Sequence, residues 1–73
     1  MTIPELKQLE LWAQLTPSQT KFLLAYIDAK ADKLKASRAT WNAKTHAVAI
    51  DMANRALRNP KIRKLLAAYQ GPL

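Results

Sequence analysis

Arg38, Asn42, Lys44, Thr45, Val48, Arg55 and Arg58 are the residues of this 73-residue chain whose types and spacing suit chemistry. That chemistry is ionic recognition. Lysine and arginine neutralise phosphates, an arginine fork matches a guanine edge in the major groove, and small apolar groups such as Val48 and Met52 can touch a thymine methyl. Bond-making chemistry has no comparable set. His46 is the sole histidine and cysteine is absent, so no thiolate site, disulfide or His/Cys metal cluster can be assembled. No glycine-rich phosphate loop and no Ser-His-Asp arrangement can be argued from spacing. The expectation is a protein that binds and does not catalyse, with no cofactor and no metal.

The charge distribution narrows the partner. Up to residue 29, Lys7 and Lys21 face Glu5, Glu10 and Asp28, a net −1; from residue 30 onward the other ten Lys and Arg face Asp32 and Asp51, a net +8. Basic charge confined to one part of a small domain points to a polyanion. A basic surface that is merely solvated is the plain alternative. The coincidence of the basic part with a two-helix layout favours the polyanion.

That layout lies between Ala31 and Asn59. The pattern predicts a short helix from Asp32 to Ala39, a tight corner at Thr40-Trp41-Asn42, and a longer helix from Ala43 to about Arg58. Two helices joined by a three- or four-residue corner form a helix-turn-helix, which offers its second helix to the DNA major groove. At about 100° per residue, Ala43, His46, Ala47, Ile50, Ala53 and Leu57 share an inward face. Lys44, Thr45, Val48, Asp51, Met52 and Arg55 point outward. Asn42 is read as the cap of the second helix, with Lys44 and Thr45 in its first turn, where free N–H groups and the dipole favour phosphate. Asp51 is best neutralised by Arg55 four residues on. Val48 and Met52 could equally bury against another segment or subunit. Leu34 and Ala36 are the expected buried positions of the short helix, with Ala36 and Ala39 small enough for a close crossing, and Trp41 wedged between helices.

The remaining elements hold this pair in place. Thr2-Ile3-Pro4-Glu5 starts a first segment in which Leu6, Leu9, Trp12 and Ala13 recur at helical spacing, either an arm or an extra helix over residues 1–14. Thr16-Pro17-Ser18-Gln19 is a stronger start, followed by a core stripe of Phe22, Leu23, Tyr26 and Ile27 ending near Ala29 or Lys30. Asn59-Pro60 opens a last helix with Ile62, Leu65, Leu66 and Tyr69 inward and Lys61, Arg63 and Lys64 outward, stopped by Gly71-Pro72. The whole reads as one all-α domain of four or five helices containing a helix-turn-helix over about 32–58. No apolar run approaches the roughly 20 residues needed to span a bilayer, and residues 1–5 lack the plan of a secretion signal. A cytoplasmic protein without a membrane partner is expected.

The chain resembles the N-terminal DNA-binding domain of small terminase subunits of tailed phages and prophages, over roughly Leu15 to Leu66. The resemblance is carried by Leu15-Thr16-Pro17, Gln19, Lys21-Phe22 and Tyr26, then Ala36, Arg38-Ala39, Trp41 and Lys44-Thr45, and finally Leu57 and Asn59-Pro60-Lys61-Ile62. It implies a helix-turn-helix that recognises viral double-stranded DNA at the start of packaging and delivers it to a large terminase subunit, an ATPase and nuclease. It also implies that Lys44 and Thr45 open the reading helix. Small subunits of that family commonly form rings, so a homo-oligomer is implied for a longer parent protein. Family members generally continue into an oligomerisation segment, which leaves an excised domain or a divergent stand-alone protein as the two expectations here. Where members often have glycine, proline and a small apolar residue, this chain has Thr40, Ala43 and His46, so its corner is expected to be built differently. The rival readings are a stand-alone helix-turn-helix regulator or recombination accessory protein, and a basic helical module acting on membranes or on another protein.

Overall fold

The computed structural model describes residues 1–71. Those residues form α1 (Ile3–Lys7), α2 (Glu10–Ala13), α3 (Pro17–Asp28), α4 (Lys33–Trp41), α5 (His46–Arg58) and α6 (Pro60–Ala68), with no strand among them. The all-α expectation holds. The helix count reaches six because the N-terminal segment breaks at Gln8-Leu9, where Leu9 turns extended and caps a second short helix.

Helix α3 is the central element because its apolar residues serve two clusters. Leu23 and Ile27 pack with Leu6, Leu15, Ile62 and Leu65, while Phe22 packs with Ala36 and Ala53. Phe22 is fully buried and is stacked between Trp41, at a centroid distance of 5.1 Å, and Tyr26, at 5.7 Å. Trp41 therefore wedges between helices as packing. Burial of each large side chain contributes about 1.5–3 kcal/mol, and a chain this short has few such side chains to spend on stability.

The start of α3 is a complete capping box. The Thr16 hydroxyl accepts from the Gln19 N–H at 3.2 Å, and the Gln19 side-chain oxygen accepts from the Thr16 N–H at 2.9 Å, with Pro17 at the first helical position. Its end is a Schellman turn. The Ala31 N–H donates to the Tyr26 carbonyl at 2.9 Å and the Lys30 N–H to the Ile27 carbonyl at 3.1 Å, which places Lys30 and Ala31 at φ 54° and 68°. Neither is glycine, so both Cβ atoms crowd the following carbonyl.

The N-terminal segment closes over the core. Leu6 is fully buried, and Leu9, Leu11 and Trp12 pack against the larger cluster. The Met1 ammonium donates to the Ala68 carbonyl at 2.7 Å, and the Gln70 N–H donates to the Met1 carbonyl at 2.9 Å. At the start of α1 the Glu5 carboxylate accepts from both the Thr2 N–H and the Thr2 hydroxyl, each at 3.0 Å. The backbone bond first, and the hydroxyl second, hold the Glu5 carboxyl below its ordinary range. A lowered carboxyl favours the fold above the unfolded value and loses that contribution as pH falls through the folded one.

Helix α4 is capped by Asp32, whose carboxylate accepts from the Lys35 N–H at 3.0 Å. It seats α5 through small residues. Ala36 and Ser37 on α4 are buried, as are Ala49 and Ala53 on α5, whereas Ala39 is exposed and Leu34 only partly buried. The Ser37 Oγ is buried without a hydrogen-bond partner. Helix α6 starts as expected, with the Asn59 side chain accepting from the Lys61 N–H at 2.9 Å and Pro60 first. It ends at Ala68 with Tyr69 as its cap, before Gly71; Pro72, the other half of the expected stop, lies outside the described residues.

Two consequences for stability are measurable. Ala31→Gly relieves a left-handed alanine worth about 1–2 kcal/mol, less glycine's extra unfolded-state entropy. A gain of about 0.5–1 kcal/mol, seen as a Tm increase of a few degrees in thermal melts, is expected. Ser37→Ala removes a hydroxyl whose desolvation is uncompensated, so it should leave stability unchanged or raise it by up to about 1 kcal/mol; a loss of more than that in denaturant titration would mean the hydroxyl is bonded.

Candidate nucleic-acid interface

The corner between α4 and α5 sits later in the chain than the sequence pattern suggests. Helix α4 continues through Thr40 and Trp41, and the corner occupies Asn42 to Thr45. Thr40 has no need of glycine's freedom because it is helical, its hydroxyl donating to the Ala36 carbonyl at 2.8 Å. The left-handed residue is Asn42, at φ 51° and ψ 43°, where it closes α4 as its C-cap. Asparagine tolerates that region better than most residues. Asn42 is thus not the cap of the second helix. Thr45 is: its hydroxyl accepts from the Val48 N–H at 3.2 Å, and α5 begins at His46 rather than Ala43. Lys44 accordingly lies in the corner, one residue before the cap, and not in the first helical turn.

The inward face of α5 keeps the expected Ala53 and Leu57 but is turned by roughly 70° toward Ala49 and Ala56. Ala49 and Ala53 are buried, with Ala56 and Leu57 beside them. His46 and Ala47, expected inward, are exposed, and Ile50 is only partly buried. Small residues take the buried positions of this helix, Ala53 packing with Ala36 and Phe22, while the larger Ile50 stays partly exposed.

Every candidate contact residue is at the surface. Arg38 on α4, Asn42, Lys44 and Thr45 in the corner, and Val48, Arg55 and Arg58 on α5 are all exposed. On α5, Val48, Asp51, Arg55 and Arg58 project away from the Ala49–Ala53 contact, so they form one outer face adjoining Lys44. Val48 is 49% exposed, unusual for its type among these residues. Arg55 and Arg58 lie in the last turn of α5, where cations also suit the helix dipole. The expected ion pair is present: Arg55 Nε lies 3.0 Å from Asp51 Oδ2, both side chains more than half exposed.

Met52 departs from the outward set. It is half-buried and, with Trp41, Ala56, Gln19, Asn59 and Arg55, lines an open groove of about 320 Å³ beside the outer face. Periodicity within one helix could not reveal this groove, since its walls come from α3, α4, α5 and the cap of α6. Among the described residues no group of His, Cys, Asp or Glu is clustered for a metal ion, and no helix is long and apolar enough to cross a membrane.

Thr45→Ala removes the hydroxyl that caps α5 and should cost about 1 kcal/mol. Amide hydrogen exchange should show the loss concentrated at Val48 and its neighbours rather than spread over α3 and α6.

No family model matches the chain, and neither a curated protein nor a solved structure matches it.

Proposed function

We propose that this chain is the DNA-binding domain of a viral small terminase subunit, which recognises viral double-stranded DNA to initiate genome packaging and presents it to the large terminase subunit. The observation that carries the DNA half of this reading is the outer face of α5. It is free of packing duties, carries Arg55 and Arg58, and adjoins Lys44 and the capped start of a helix preceded by a four-residue corner. An exposed, cationic second helix of this kind is the element that such domains insert in the major groove. The confinement of positive charge to residues 30–73 supports the same partner. The packaging half rests on the resemblance in Leu15-Thr16-Pro17, Lys44-Thr45 and Asn59-Pro60-Lys61-Ile62.

In this mechanism the start of α5 and Lys44 hold a phosphate, Arg38 and Arg58 neutralise others, and Arg55 and Val48 meet base edges. Asn42 holds the corner rather than touching DNA first. Phosphate contacts set the register and base contacts set the sequence. No covalent step belongs to this chain; hydrolysis and cutting fall to the large subunit.

Binding to duplex DNA should weaken linearly in log–log plots against salt, by roughly 0.9 per phosphate neutralised. Lys44→Ala should lower that slope by about one without altering the thermal melt. If Lys44→Ala and Arg55→Ala both bound duplex like the parent at moderate salt, the interface assignment would fall. Stimulation of a large terminase ATPase by this chain, and its absence with unrelated basic domains, separates packaging from a stand-alone regulator.

A further inference from the structure

Asp51 is the one carboxylate on the outer face of α5, on a surface otherwise populated by Lys44, Val48, Arg55 and Arg58. Facing DNA it would repel phosphate. Nor does it add much to the fold, because an exposed i,i+4 pair stabilises a helix by only a few tenths of a kcal/mol. Its geometry suggests a different task. The contact to Arg55 is made at Nε, 3.0 Å from Oδ2. An Nε contact constrains the guanidinium from its inner edge and leaves the two terminal amino groups for another partner. Arg55 also lines the groove formed with Trp41, Met52 and Asn59.

Building on the DNA-binding reading above, we propose that Asp51 is a positioning residue that orients the Arg55 guanidinium so that its terminal amino groups read a guanine through N7 and O6. An arginine on an exposed helix otherwise samples many rotamers and serves as a mobile phosphate contact. The carboxylate at Nε biases those rotamers toward one orientation before binding, and the planar fork matches the two guanine acceptors. Asp51 thereby converts a charge contact into a base contact. Its own charge lowers affinity for every sequence alike, so the pair raises discrimination at the expense of non-specific binding.

The test is selection from a random duplex pool with the parent, Asp51→Ala, Arg55→Lys and the double variant, followed by titration of the best duplex and its single G·C substitutions. The parent should show a guanine position whose replacement weakens binding about tenfold or more. Asp51→Ala should bind non-specific duplex as well as the parent or better, yet lose most of that discrimination. Arg55→Lys keeps the charge, loses the fork, and should lose discrimination at the same base pair. The double variant should lose no more than either single change, since the two side chains act as one unit. Circular-dichroism melts confirm that all four fold. Unchanged guanine preference in Asp51→Ala, with a uniform rise in affinity, would overturn the proposal and make Arg55 a phosphate contact. Additive losses in the double variant would overturn it as well. A parent that binds no duplex at all would instead bring down the DNA-binding reading, and this inference with it.

Discussion

The close crossing of α4 and α5 is the constraint on which the rest of this molecule depends. The buried residues of the two helices are all small: Ala36 and Ser37 on α4, Ala49 and Ala53 on α5, with Ala36 and Ala53 packed against Phe22. Such a contact offers modest apolar area. It gains instead from dispersion between closely packed atoms and from the low side-chain entropy lost by alanine. The larger side chains come from α3: Phe22 packs on Ala36 and Ala53 and stacks against Trp41, and Leu23 and Ile27 pack with α6 and the N-terminal segment. Helix α3 thus stands behind both halves of the domain, contributing Leu23 and Ile27 to one cluster and Phe22 to the other.

Local hydrogen-bond chemistry sharpens each turn of that frame. Thr16, Asp32, Thr45 and Asn59 each place a side-chain oxygen over the first turn of the helix that follows. Proline at the first position of α3 and α6 fixes the entry angle. The exceptions are the left-handed Lys30 and Ala31, where tertiary packing imposes a turn that the local sequence does not favour. Leu34 and Ala36 just beyond the turn, and Ile27 just before it, are anchored in partly or fully buried positions, so the backbone between them has to reverse in few residues.

Much of this was legible from residue types. The caps at Thr16 and Asn59 are read from one hydrogen-bonding side chain followed by proline, with Gln19 as the reach-back partner at Thr16, and the aromatic stripe of α3 from helical spacing. The corner was not legible to the residue. Asn42 and Thr45 are both good caps, and asparagine is equally suited to closing a helix in the left-handed region; only the continuation of α4 through Trp41, which lets the indole reach Phe22, decides between them. The facing of α5 was misjudged for a related reason. In an alanine-rich helix, hydrophobicity barely distinguishes the sides, and the larger Ile50 pulls a wheel toward itself although the actual seat is set by which residues are small. Of the outward set, Lys44, Thr45, Val48, Asp51 and Arg55 are exposed and Met52 is half-buried, because charged residues mark the solvent side more firmly than apolar ones mark the buried side. The groove at Trp41 and Met52 depends on four separate elements, so no pattern within a single segment could announce it.

The alanine seat separates two kinds of change that most small domains confuse. Because the buried residues of α5 are Ala49 and Ala53, while Val48, Asp51, Arg55 and Arg58 are exposed, the outer side of the helix can change with little effect on the core. Enlargement at Ala49 or Ala53, both fully buried, would instead force the helix off its neighbours.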